Sequence, residues 1–212
     1  MSRRCIWAAI RDSERTTLTT KLSSCSVIFN PFQLKLYRAL SGKGSFLEYH
    51  GTTSQLPLCA PEPPLPLGSL ADALIGVEWG SDRSKSVMEK KSRSFVRLAG
   101  DGDEIEGGIM CLSLRSIGSA ALLYSYVAAG GLDCYWEIGC WSWDVCAGTI
   151  IAREAGGKCY GRDGKPFDDG VDLMGHHFFV VRAIGDTETE KGGDAQDRIA
   201  KEFFSVVEQW DC

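Results

Sequence analysis

The stretch from residue 130 to residue 167 constrains the fold of this chain more than any other segment. It contains a strand-like run at 134–138, a polar break, and a helix-like run that ends at two consecutive glycines. Glu137 ends the predicted strand and Asp144 opens the predicted helix. Two carboxylates at neighbouring element ends are typical of a metal or polyol site, because a packed core excludes unpaired charge.

A proline-rich run divides the chain before this stretch. Residues 57–67 carry five of the seven prolines, which predicts an extended linker and a domain boundary. Residues 26–47 alternate apolar and polar side chains around an Asn-Pro turn, which predicts an antiparallel hairpin and a further short strand. We therefore assign residues 26–67 to a small β region with its linker, and residues 68–212 to a second domain.

The first 25 residues fit neither region. They are rich in Arg, Ser and Thr, as a mitochondrial transit peptide is. Asp12 and Glu14 interrupt that pattern and no long amphipathic face develops, which favours a start that is unrelated to the rest of the fold.

Strands and helices alternate from residue 73 to the end, which predicts a helix-covered sheet of α/β class. The helix that ends at residue 129 is apolar nearly all round, so we expect it to be buried. The predicted strands cover 73–79, 109–114, 134–138 and 177–183. The predicted helices cover 83–98, 116 or 118 to 129, 143–155, and a last one that opens at 194.

Composition excludes some partners. The net charge is −5 and no dense basic cluster occurs, which argues against a nucleic-acid-binding protein. No apolar run is long enough to span a membrane. The nine cysteines include no CxxC pair, so we interpret them as reduced thiols and predict a cytoplasmic protein.

The two carboxylates each allow two interpretations. By position alone Asp144 is a capping acid in the first helical turn. Ser142 could cap that helix instead, however, and Trp141 and Trp143 bracket the acid in an apolar setting, which favours pairing with a metal. Glu137 is either a surface residue at a strand end or an acceptor for substrate hydroxyls, and both remain open.

Small residues precede the buried helix. Gly118, Ser119 and Ala120 leave backbone N–H groups open to a ligand oxygen in one interpretation, and permit close helix packing in the other. Neither is favoured over the other by the sequence, and no side chain is assigned as catalytic.

Together these motifs resemble the inositol monophosphatase family of magnesium-dependent sugar phosphatases, and its fungal quinate-cluster members in particular. The run W-D-x-x-A-G-x-I-I-x-x-E-A-G-G at 143–157 matches that family's C-terminal signature. Supporting matches are R-S-I-G-S-A-A at 115–121, G-G-L-D-C-Y-W-E at 130–137, G-K-P-F at 164–167, L-I-G-V-E-W-G-S-D-R at 74–83 and N-P-F-Q at 30–33.

The resemblance implies a layered α/β sugar-phosphatase fold and hydrolysis of a phosphate monoester of inositol or a related sugar with Mg²⁺. Asp144 matches the family's magnesium-binding aspartate, and Glu137 matches the acid that accepts hydrogen bonds from the inositol ring. The resemblance also implies that the backbone of Gly118, Ser119 and Ala120 lines the substrate site, and that the chain forms a homodimer.

The chain departs from the family upstream. It has no Asp-Pro dipeptide, so D-P-[IL]-D-G-T is absent, and residues 16–71 hold no aspartate and only Glu48 and Glu62 as acids. Because Mg²⁺ prefers six oxygen ligands, Asp144 alone should hold it weakly. We therefore expect a truncated C-terminal domain with a remnant of the N-terminal antiparallel sheet, and little or no activity.

Two alternatives stay open. The chain could be a non-catalytic fragment that binds a full-length relative or a sugar ligand. It could also keep the fold and act on a bisphosphate nucleotide or sugar.

Overall fold

The computed structural model describes residues 25–167 and 172–211. The predicted N-terminal segment 1–25 therefore lies, apart from Cys25, outside the described residues. Within the described part there are nine strands, four α-helices and three short 3-10 helices. The strands are β1 (Cys25–Asn30), β2 (Lys35–Leu40), β3 (Ser45–Tyr49), β4 (Thr52–Gln55), β5 (Leu74–Val77), β6 (Ser113–Arg115), β7 (Cys134–Ile138), β8 (Lys158–Tyr160) and β9 (His177–Val181). The helices are α1 (Lys85–Ala99), α2 (Ala120–Ala129), α3 (Ser142–Glu154) and α4 (Gly192–Val206).

The first sheet is an antiparallel meander in the order β1-β2-β3-β4. Its first hairpin turns at Asn30, whose side-chain oxygen accepts hydrogen bonds from the backbone N–H groups of Phe32 and Gln33. Alternate residues such as Ile28 and Tyr37 are buried on one face. The predicted hairpin and short strand are confirmed.

The second sheet has the order β6-β5-β7-β9-β8. β5 pairs in parallel with β6 and β7, whereas β9 pairs antiparallel with β7 and β8. All five residues of β7 are buried because helices cover both faces of the sheet: Tyr135 packs into the core with α2 and α3, and Trp136 into the core with α1 and α4. The predicted α/β class is confirmed.

The layers follow from these two cores. α2 and α3 lie between the two sheets, and residues of β1 and β2 share one hydrophobic core with Val127 and Ile151 of these helices. α1 and α4 cover the other face of the second sheet. The proline-rich segment 57–67 contains no helix or strand, and its role as a domain boundary remains a prediction.

The predicted strand at 109–114 is wrong in extent, since β6 comprises only its last two residues and Arg115. The N–H groups of Ile109, Met110 and Cys111 donate instead to carbonyl groups at the end of α1. β8 was not predicted, and α2 begins at Ala120, later than predicted.

Across the described ranges, no helix has the length and apolar character needed to cross a membrane.

Candidate functional site

Two buried acids lie side by side at the carboxyl ends of parallel strands. Glu78 directly follows β5, and Glu137 is the penultimate residue of β7. The parallel register aligns Val77 with Trp136, and the N–H of Glu78 donates to the carbonyl of Trp136 at 3.4 Å. The next position on each strand is therefore a glutamate, and each is only 7% exposed. The carboxyl edge of a parallel sheet is a common place for a ligand site.

The carboxyl of Glu137 has a raised pKa. Burial raises the pKa of its carboxyl to about 7, opposed by a hydrogen bond from the hydroxyl of Tyr135. The negative charges of Glu78 and Asp144 raise this pKa further, while the ammonium of Lys91 lowers it. The interpretation of Glu137 as a surface residue at a strand end is thus wrong, and its role toward a substrate remains a prediction.

Lys91 is a buried cation that the sequence does not reveal. The charged side chains of α1 predict an exposed helix, yet Lys91 is 1% exposed and its ammonium lies 5.4 Å from the centre of the Trp210 ring. The helix is amphipathic and turns this one lysine toward the core with Val87 and Leu98. Its ammonium lies beside Gly80, two residues after Glu78, where a Cβ would be 3.2 Å from the Lys91 Nζ, and its charge lowers the pKa of Glu137.

Asp144 acts as a capping acid. Its carboxylate accepts a hydrogen bond from the backbone N–H of Trp141 at 3.2 Å, one turn earlier. Ser142 is the first residue of α3 and not its cap, which corrects the prediction made for it. The apolar setting is also wrong, because the rings of Trp141 and Trp143 stack on each other, 5.1 Å apart, and are 49% and 62% exposed.

The segment before α2 is held by Glu78, which sequence reasoning missed. Its carboxylate accepts from the Ser116 hydroxyl at 2.9 Å and from the N–H groups of Ile117 and Gly118 at 2.7 and 2.6 Å. The N–H of Gly118 is thus occupied by this hydrogen bond, whereas one of the two interpretations left it open to a ligand; the contact of Gly118 with substrate remains a prediction. The available signal was an acid near the carboxyl end of a predicted strand, because Glu78 lies in the strand predicted at 73–79 as Glu137 does in the one at 134–138.

The remaining two residues of the predicted substrate segment start α2. Ser119 is the N-cap residue, and its hydroxyl accepts from the N–H of Leu122 at 3.4 Å. Ala120 is the first helical residue and is buried. The structure thus brings this segment, Glu78 and Glu137 to one edge of the sheet, and the contact of Ser119 and Ala120 with substrate remains a prediction.

The acids of this region do not fit Mg²⁺ by themselves. Within residues 25–167 and 172–211 no group of three His, Cys, Asp or Glu side chains is arranged to hold a metal ion. Glu78 is engaged by three donors, Glu137 is neutral below about pH 7, and Asp144 caps a helix. Mg²⁺ requires several charged or carbonyl oxygens, so these three acids do not form a magnesium site by themselves.

The comparisons with known proteins identify one family. The family described as "Inositol monophosphatase family" matches residues 18–202. The chain is 34% identical over 195 residues to "Protein qutG" of Emericella nidulans, covering 87% of this chain and 58% of that protein. It is 40% identical over 185 residues to "Inositol monophosphatase 2" of Saccharomyces cerevisiae, covering 85% of this chain and 56% of that protein.

Solved structures agree in fold. The Mycobacterium tuberculosis SuhB structure matches with a TM-score of 0.61 and 24% identity, covering 88% of this chain and 61% of that one. The inositol monophosphatase of Anabaena matches with a TM-score of 0.60 at 24% identity, covering 87% of this chain and 60% of that one. At this identity the likeness shows the fold alone. The chain spans less than two thirds of the length of these relatives.

Proposed function

Because this chain belongs to the inositol monophosphatase family, we propose that it binds a phosphate monoester of inositol or a related sugar beside Glu137. We propose further that Mg²⁺-dependent hydrolysis of that ester is impaired in this chain, since its sequence lacks the D-P-x-D-G-T and Glu-Glu motifs. This chain would then supply the substrate-binding part of the site and no catalytic side chain.

One observation carries this proposal. Glu137 lies at the sheet edge within electrostatic reach of both Glu78, which holds the turn before α2, and Asp144, which lies in the first turn of α3. With a pKa of about 7, the Glu137 carboxyl is present at neutral pH both as an acceptor and as a donor. A polyol hydroxyl can pair with either form, because it both donates and accepts.

Isothermal titration with inositol 1-phosphate, with and without Mg²⁺, tests the binding. We expect measurable binding that Glu137→Ala weakens about tenfold, the effect of losing one good hydrogen bond. Glu106→Ala is the matched control, because it removes a carboxyl from an exposed loop. Wild-type protein that does not bind the ester refutes the proposed substrate.

Phosphate release, followed colorimetrically with Mg²⁺ present, tests the impairment. We expect release close to the rate without protein. Rapid release that Asp144→Asn abolishes contradicts the impairment and assigns Asp144 to the metal. A nucleoside bisphosphate in the same assay tests the alternative substrate class.

A second candidate function follows from the outer face of the β1–β4 sheet. Phe29 and Leu40 on this face are 36% and 46% exposed, and a sheet face of this kind is suited to covering by a partner. The chain would then be a non-catalytic fragment that binds a full-length relative. Light scattering can distinguish a monomer, a homodimer and a mixed complex, if it is measured on the chain alone and on a mixture with full-length yeast inositol monophosphatase 2. The substitution Phe29→Glu should abolish any complex that forms through this face.

A further inference from the structure

The Glu78 side chain holds the turn before α2 through three hydrogen bonds. Its carboxylate is buried and accepts three hydrogen bonds, one from the Ser116 hydroxyl and two from the N–H groups of Ile117 and Gly118. All three donors come from the four-residue connection between β6 and α2. A buried carboxylate with several donors is held in one orientation, because each lost bond leaves a charge without compensation.

The connection that Glu78 holds has little else to fix it. Ser116, Ile117 and Gly118 are exposed, and the Ile117 side chain is 44% exposed. Gly118 has a φ of +78°, and a Cβ at that position would meet no atom within 4 Å. Neither side-chain packing nor steric crowding therefore determines the shape of this connection at Gly118. The Glu78 carboxylate is the buried anchor of an exposed turn.

We propose that Glu78 is a positioning residue, which fixes the turn at 116–118 so that Ser119 and Ala120 begin α2 where a ligand beside Glu137 meets them. This inference rests on the proposed function. The parallel pairing of β5 and β7 places Glu78 next to Glu137, so one strand end orients the turn while its neighbour contacts the ligand. The turn occupies three of the about four acceptor positions of the Glu78 carboxylate, whereas Glu137 receives no hydrogen bond from this turn.

The test compares Glu78→Gln, Ser116→Ala and the double variant by titration with inositol 1-phosphate. Glu78→Gln keeps the shape of the side chain but loses the charge, and we expect affinity to fall about tenfold or more. Ser116→Ala removes one donor at an exposed position, and we expect a loss of about threefold. Because both changes act on one turn, the double variant should bind no more weakly than Glu78→Gln alone. Glu106→Gln, at an exposed site, should bind like wild type.

A second measurement does not depend on the ligand. Amide hydrogen exchange at Ile117 and Gly118 should be slow in wild type and at least about tenfold faster in Glu78→Gln, because their acceptor is weakened. If Glu78→Gln does not fold, Ser116→Ala supplies the same comparison at smaller amplitude.

The possible outcomes distinguish ligand binding beside Glu137 from the positioning role of Glu78. Wild type that does not bind refutes the proposed function, and the exchange rates then decide the anchoring of the turn alone. Wild type that binds, with Glu78→Gln binding equally well, overturns the positioning role. Additive losses in the double variant also overturn it, since additivity means that Glu78 and Ser116 act on affinity independently and not through one shared turn. Unchanged exchange at Ile117 and Gly118 overturns the anchoring itself.

Discussion

Replacement of Glu137 by glutamine should change how the stability of this protein depends on pH. The pKa of this carboxyl is raised from 4.5 to about 7, chiefly by burial. At a pH below 4.5 the carboxyl is neutral in the folded and in the unfolded chain, and folding carries no penalty. Between pH 4.5 and about 7 the unfolded chain releases the proton while the folded chain retains it, so stability falls as pH rises.

The magnitude follows from the size of the shift. A rise of about 2.5 pKa units corresponds to a loss of about 3 kcal/mol in the free energy of unfolding once the pH exceeds the folded pKa. The side chain is only 7% exposed, so solvent screens this penalty little. Glu137→Gln stays neutral at every pH and can still accept the hydrogen bond from Tyr135. Relative to wild type, it should therefore gain about 3 kcal/mol between about pH 4.5 and about pH 8.

Urea denaturation of both proteins over this pH range, followed by circular dichroism, measures the effect. Glu106→Gln removes a carboxyl from an exposed position and should track wild type throughout. A difference between wild type and Glu137→Gln that stays constant with pH would refute the argument, because the carboxyl would then ionise equally in both states.

Three further changes test the packing around the site. The Glu154 carboxylate accepts two backbone hydrogen bonds of 2.9 Å from the turn between β2 and β3, so Glu154→Ala should cost about 1–2 kcal/mol in urea denaturation and Glu154→Gln less. Gly148→Ala should cost about 1–3 kcal/mol, since its Cβ would lie 2.5 Å from the Cβ of Tyr124; Gly193→Ala, with open space, should cost nothing. Asp144→Ala should lower the melting temperature through loss of about 1 kcal/mol of capping, whereas Asp144→Asn, which keeps an acceptor, should lower it less.

Local pattern was sufficient to predict much of the fold. The run at 134–138 is a strand and the helix after it ends before two glycines, as predicted, because periodicity and glycine placement act over a few residues. The short strand β8 and the bounds of β6 were not predictable in this way. A three-residue strand has no detectable periodicity, and the backbone before β6 bonds to the end of α1, far away in sequence.

The sequence by itself therefore determined the family, the two acids at adjacent element ends, and the small residues before α2. Only the tertiary structure decided how these acids behave. Parallel pairing of β5 with β7 brings Glu78 beside Glu137, and helices on both faces of the sheet bury that pair and raise one pKa. Asp144 instead caps α3 beside two exposed tryptophans. The reason is physical: secondary structure follows from neighbouring residues, whereas burial, charge and hydrogen-bond partners depend on segments that meet only when the chain has folded.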